Sequence, residues 1–233
     1  RSLLTMNYRD YEILVVNDGS QDATLQTLAG AFALEPAPRA PTAFLTTQPV
    51  RGTYHSRRHP NLWVLDKENG GKADALNAGL NFCRTPLYCA IDADSLLERD
   101  ALTRVVRPFL EDITTVAAGG IIRIVNGCRV ESGTVTEVRL PTSWLARFQV
   151  LEYLRAFLAG RMGWSALDAT LIISGAFGLF RRSLVVEVGG YATDTVGEDM
   201  ELVVRLHRHC RDRGIPYRIE FVPDPVAWTE CPE

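Results

Sequence analysis

The sequence predicts an α/β domain with a mixed, mainly parallel sheet flanked by helices. Three observations predict it. Apolar strand-like runs alternate with helical patterns through the first half, which favours parallel strands joined by right-handed crossovers. Several of these runs end in turns carrying aspartate or glycine, where open α/β sheets bind ligands. The 233 residues, 46% hydrophobic and 23% charged, suffice for a sizeable core. One domain is expected over 1–233, because no low-complexity linker divides it.

Tyr11–Asn17 reads as a strand ending in the turn Asp18-Gly19-Ser20. A helix follows to Leu34, with Ser20 or Asp22 as its cap. Pro36, Pro38, Pro41, Pro49 and Pro60 punctuate residues 35–60, which carry Arg51, Arg57 and Arg58 and show little periodicity. A long surface loop is expected there. Leu62–Leu65 is the next strand, and Gly70-Gly71 open a helix through Ala73, Leu76, Ala78 and Leu80. A strand over 87–91, a helix over 99–110 interrupted by Pro108, and a strand over 115–125 follow. Apolar residues at 144, 145, 148, 151, 154, 157 and 158 give 143–158 an amphipathic helical pattern. That face either packs on the sheet or lies along a membrane surface. A small-residue turn lies within 172–180, and a helix over 198–211 and a strand over 217–221 close the pattern.

A net charge of −3 and a pI near 5.9 argue against nucleic-acid binding, which needs a basic footprint. Cys83, Cys89, Cys128, Cys210 and Cys231 show no C-x-x-C spacing and read as reduced, packed thiols facing the cytoplasm. His207, His209 and Cys210 sit at i and i+2 spacings that do not share a helix face. His55 and His59 read as solvated, and Trp63, Trp144 and Trp164 as packing residues. The best apolar candidate for a spanning helix, 164–180, is interrupted by Asp168, Ser174 and two glycines. The chain opens without methionine, so an excised piece of a larger protein is expected.

Asp92-Ala93-Asp94 follows the apolar run 87–91. Two carboxylates there suit Mg²⁺ or Mn²⁺ holding a substrate phosphate; alternatively, they belong to a solvated turn in which Asp94 caps the next helix. Asp18 follows an earlier strand, and Glu198-Asp199 start a late helix, whose partial positive charge favours an anion. Gly70-Gly71-Lys72 offers backbone N–H groups and a cation, the needs of a diphosphate. The pattern is not G-x-x-x-x-G-K-[ST], which disfavours a P-loop ATPase, and no G-x-G-x-x-G follows the first strand.

In order, Val15-Val16-Asn17-Asp18-Gly19-Ser20, Asn69-Gly70-Gly71-Lys72-Ala73-Asp74-Ala75-Leu76-Asn77 and Asp92-Ala93-Asp94 resemble family 2 glycosyltransferases of the GT-A fold. Ser174-Gly175-Ala176-Phe177-Gly178, Val188-Gly189-Gly190-Tyr191 and Gly197-Glu198-Asp199-Met200-Glu201-Leu202 look like the membrane-embedded polysaccharide synthases, a group that includes poly-N-acetylglucosamine, hyaluronan, chitin and cellulose synthases. The resemblance covers nearly the whole chain outside the proline-rich segment.

The resemblance implies inverting, metal-dependent transfer from a UDP-sugar to a hydroxyl of a growing polysaccharide. It implies that Asp18, Lys72 and Asp92 contact the donor, and that Asp94, assisted by Asp92, holds Mg²⁺ or Mn²⁺. Asp199 would be the general base, and Gly175, Ala176, Phe177 and Glu198 would line the acceptor site. It implies a place on the cytoplasmic face of the membrane beside transmembrane segments. Two departures stand out. The chain opens near Arg1-Ser2-Leu3-Leu4, in what looks like the end of the first helix, so the family's first strand is expected to be missing. It stops just after Thr229-Glu230-Cys231-Pro232, before any Gln-x-x-Arg-Trp motif, so processivity cannot be tested on it. The alternatives are a non-processive relative acting on a polyprenyl phosphate or other acceptor, and a catalytically silent GT-A-like binding module.

Overall fold

A computed structural model describes residues 2–167 and 169–232, so Arg1, Asp168 and Glu233 lie outside the described residues. After a 3-10 turn at Ser2–Thr5, the chain forms β1 (Ile13–Asp18), α1 (Thr24–Phe32), β2 (Leu34–Pro36), β3 (Val50–Ser56), β4 (Leu62–Lys67) and α2 (Lys72–Phe82). Next come β5 (Leu87–Ala90), β6 (Leu96–Leu97), α3 (Ala101–Val105), α4 (Arg107–Glu111), β7 (Thr115–Ile124), β8 (Arg129–Glu131) and β9 (Thr134–Glu137). The rest comprises α5 (Trp144–Leu154), a wider π-type turn at Arg155–Arg161, α6 (Met162–Ala166), β10 (Gly178–Arg181), α7 (Arg182–Glu187), α8 (Glu198–Asp212) and β11 (Arg218–Thr229).

The chain divides into two compact units. One comprises Arg9–Tyr88 and Arg182–Leu206; the other comprises the residues up to Tyr8, Cys89–Arg181, and those from His207 onward. The first holds a four-stranded sheet in the order β1-β4-β3-β2. β1 runs parallel to β4, while β3 pairs antiparallel with both β4 and β2. Residues 35–60 are therefore not one loop. Thr53 and Tyr54 favour extended backbone, and Pro49 and Pro60 bound β3 rather than abolish it. Pro36 is tolerated because β2 is an edge strand. His55 and His59 are half-buried rather than solvated: His55 stacks on Trp63 at 4.5 Å between ring centroids, and His59 meets the Phe32 ring edge-on at 5.8 Å. At the start of α1, Asp22 accepts both the Thr24 N–H (3.0 Å) and its hydroxyl (2.5 Å). These bonds hold the Asp22 carboxyl below the usual aspartate range.

The other unit carries a sheet in the order β5-β10-β7-β11-β6. β7 and β11 are parallel, β10 pairs antiparallel with β7, and β6 pairs antiparallel with β11. The expected mixed sheet is thus present, with antiparallel pairings more prominent than expected. β7 is buried along nearly its whole length, as its apolar run requires. A Cβ at Gly120 would sit 2.6 Å from Val226 Cγ2, so glycine lets β11 approach. β11 is longer than the strand expected at 217–221. It bulges between Val222 and Pro225, where two prolines lack the N–H that a regular ladder needs. His207 is buried between the Tyr217 hydroxyl (2.7 Å) and the Thr170 carbonyl (2.7 Å), which accounts for it structurally. The described cysteines are all free thiols, and burial pushes the Cys89 thiol far up.

α5 departs from the expectation of a helix packed by its apolar stripe. Only Ala146 is buried, with Val150 and Tyr153 packed around Ile124 and Cys231. Trp144, Leu145, Phe148, Leu151 and Leu154 are between 46% and 72% exposed. Trp164 is exposed as well, so neither it nor Trp144 is a core packing residue. Among the described residues no helix is long and apolar enough to cross a membrane.

Candidate active site

In the unit of β1 and α2, the parallel register sets Asp18 opposite Lys67, each at the carboxyl end of its strand. Lys67 is fully buried and spends its three N–H donors on Asp18 Oδ1 (2.5 Å), Asp74 Oδ1 (2.5 Å) and the Glu68 carbonyl (2.6 Å). Burial pulls its pKa down, but Asp18 and Asp74 outweigh that and leave it raised. The N–H groups of Gly70 (3.0 Å) and Gly71 (2.7 Å) also point at the Asp18 carboxylate, and the Asn69 amide donates to the Asp18 carbonyl (2.9 Å). The amides expected to stand open for a diphosphate are thus given to Asp18. Gly19, at φ +69°, is required here, since a Cβ would lie 2.6 Å from the Asn69 nitrogen. Asp74, in the first turn of α2, also accepts the Gln48 N–H at 3.0 Å.

Farther along α2, buried Asn77 grips the backbone of Tyr191 from both sides. Its amide donates to the Tyr191 carbonyl (2.9 Å), and its oxygen accepts the Tyr191 N–H (2.7 Å). The Arg205 guanidinium binds the Val188 carbonyl (2.5 Å) and forms an ion pair with Glu201. These contacts fix the turn through Gly189 and Gly190 that leads towards α8. The starts of α2 and α8 then meet: Lys72 Nζ lies 3.3 Å from Glu198 Oε1. Asp199 is half-buried in the first turn of α8, where Oδ1 accepts the Met200 N–H at 2.8 Å.

The other unit holds the remaining candidates. Asp92 and Asp94 occupy a turn closed by the Ser95 N–H donating to the Asp92 carbonyl at 3.0 Å. Asp92 is half-buried and Asp94 exposed. Asp94 does not cap the next helix, because β6 intervenes and α3 begins only after Asp100. Ala176 and Phe177 are buried, and Gly175 is only partly so. Phe177 is wholly enclosed, so an acceptor reaching this turn would meet the Gly175 backbone rather than the Phe177 ring. No cluster of three or more His, Cys, Asp or Glu side chains suited to a metal occurs among the described residues. Two carboxylates on one turn fit Mg²⁺ or Mn²⁺ whose other ligands are water and phosphate oxygens, a usual arrangement for Mg²⁺.

Residues 53–233 match the family model described as "Glycosyltransferase like family 2". The chain belongs to that family. Similar members include the poly-beta-1,6-N-acetyl-D-glucosamine synthases of Staphylococcus aureus and Staphylococcus epidermidis. They are 28% and 26% identical over all 233 residues, which correspond to 46% of each relative. The chain therefore spans about half the length of these curated relatives. Among solved structures, it resembles the mannosyltransferase PcManGT from Pyrobaculum calidifontis, in complex with GDP-Man and Mn²⁺. That likeness has a TM-score of 0.60 at 20% identity, covering 100% of this chain and 52% of that one. Staphylococcus aureus TarS 1–349 in complex with UDP-GlcNAc gives 0.55 at 17% identity, covering 100% and 53%. The fold of this family 2 member is that of the GT-A glycosyltransferases.

Sequence reasoning passed over Lys67, and it placed Asn77 and Tyr191 in separate motifs without pairing them. Lys67 sits at the end of an apolar strand, and only the register with Asp18 marks it. Asn77 lay within the Gly-Gly-Lys motif, but its partner is 114 residues away.

Proposed function

We propose that this family 2 domain transfers a sugar from a UDP-sugar, with inversion, to a hydroxyl of a growing polysaccharide, and that N-acetylglucosamine is the first sugar to test. The observation carrying the proposal is the meeting of two helix starts, with Lys72 of α2 paired to Glu198 beside Asp199 of α8. One start supplies a cation suited to a departing diphosphate; the other supplies carboxylates suited to an attacking hydroxyl. Similarity across the whole chain to poly-beta-1,6-N-acetyl-D-glucosamine synthases supports the polymer and the sugar.

In the proposed reaction an acceptor oxygen bonds to the anomeric carbon as the bond to UDP breaks, and the acceptor proton passes to Asp199. Lys72 offsets charge developing on the leaving diphosphate, and Asp18 contacts the nucleoside side of the donor. Glu198 and the Gly175-Ala176-Phe177 turn are assigned to the acceptor. Asp94 and Asp92 would hold Mg²⁺ or Mn²⁺, which supplies electrostatic stabilisation of the diphosphate. Calorimetry on the intact protein with Mn²⁺ and UDP-GlcNAc, UDP-glucose or GDP-mannose tests the donor, and a coupled UDP-release assay tests transfer. Saturable binding of UDP-GlcNAc above the other two is expected; equal indifference to all three would reject the proposal.

The exposed apolar face of α5 supports a place at a membrane surface. Arg147 stacks over Trp144 at 5.2 Å, so an aromatic and a cation sit together on the exposed side of the helix, a combination common in interfacial helices. Brominated phospholipid is expected to quench the tryptophan emission of the intact protein in membranes, and Trp144→Phe to remove a large share of that quenching. Quenching that is insensitive to this substitution would argue against the assignment.

A further inference from the structure

Lys67 is the one described cation with a wholly buried side chain that binds two carboxylates, Asp18 and Asp74. We infer that Lys67 is a positioning residue, the counter-ion that seats the Asp18 carboxylate against the amides at the start of α2. The inference rests on the donor-side reading of Asp18 and extends it to a residue which no motif marks.

Burying an ammonium group is costly unless its donors are matched by acceptors, and here all three are. Lys67 also links three elements, joining Asp18 of β1 to Asp74 of α2 from its own place on β4. Asp18 Oδ1 accepts both the Lys67 ammonium and the Gly70 N–H, and Oδ2 accepts the Gly71 N–H, so the ammonium and the amides together hold both oxygens of the carboxylate. The charged groups around the pair can be stated element by element. β1 contributes Asp18; β4 contributes Lys67 and Asp66, the latter bound by the Asn17 amide at 2.7 Å. α2 contributes Asp74 and Lys72, and α8 contributes Glu198, already paired with Lys72. β3 sets uncharged Val50 opposite Lys67. Within this set Lys67 alone separates Asp18 from Asp74. Without it, two carboxylates share one enclosed space, and they cannot both remain charged and in place.

The test uses the intact protein and its Lys67→Arg, Lys67→Met and Lys67→Met/Asp74→Asn variants. UDP-GlcNAc with Mn²⁺ is titrated from mildly acidic to mildly alkaline pH, with thermal unfolding measured in parallel. The parent and Lys67→Arg should bind with matching, flat pH profiles. Lys67→Met should lose about tenfold or more in affinity at alkaline pH and recover part of it in acid, where one carboxylate takes up a proton. Removing the second carboxylate in Lys67→Met/Asp74→Asn should flatten the profile again. A flat profile for Lys67→Met, or an equal loss at every pH that Asp74→Asn does not relieve, would overturn the inference. If the parent binds no UDP-sugar, the donor reading fails on its own. Unfolding then decides the Lys67 assignment, through an acid-side gain in melting temperature confined to Lys67→Met, or its absence.

Discussion

Asp199→Asn is expected to lower sugar transfer by the intact protein by about 10²–10⁴-fold, the usual contribution of a positioned general base. UDP-sugar affinity should stay close to that of the parent. The substitution is nearly isosteric, and asparagine Oδ1 can still accept the Met200 N–H that Asp199 accepts at 2.8 Å. The start of α8 therefore keeps its local bond. The helix itself is anchored by buried Leu202, Val203 and Leu206 and by Arg205 binding the Val188 carbonyl. What asparagine cannot do is take the proton from an acceptor hydroxyl. A coupled UDP-release assay reports the rate, and calorimetry reports donor binding. Transfer at the parental rate would remove Asp199 from the role of base. Loss of donor binding alongside transfer would instead make it a donor ligand.

The second large effect is expected at the other pair of acids. Asp94→Asn should reduce UDP-sugar affinity in Mn²⁺ to that measured without the ion. Asp94 is exposed in a turn whose backbone closes through Ser95 and Asp92, so little stability depends on its side chain. The melting temperature should hardly move, since surface substitutions away from such bonds stay within about 0.5 kcal/mol. Half-buried Asp92 is expected to show a smaller loss on conversion to asparagine. Calorimetric titrations with and without Mn²⁺ separate the two aspartates. A metal-dependent gain in affinity that survives Asp94→Asn would show that the ion is held elsewhere.

The chain order of the elements was legible in the sequence where periodicity and punctuation agreed. β1, β4, α2, β7 and α8 lie close to the runs that predict them, because each carries an apolar pattern bounded by glycine, aspartate or proline. β3 was not legible. The prolines flanking it resemble those of a loop until β4 pairs with it, and backbone pairing depends on a partner rather than on composition. β11 was cut short for a related reason: two prolines inside a strand read as an end unless a bulge absorbs them.

The sequence by itself determined an α/β chain and its family, along with the order of Asp18, Lys72, Asp92, Asp94 and Asp199 along it. These are local properties, carried by residue type and spacing. Only the tertiary structure decided that the amides of Gly70 and Gly71 serve Asp18, that Lys67 stands between two carboxylates, and that Asn77 holds Tyr191. It also decided that the apolar stripe of α5 faces outward. Periodicity states that a face is apolar, not what covers it. An ion pair between residues 49 apart exists only once two strands are in register.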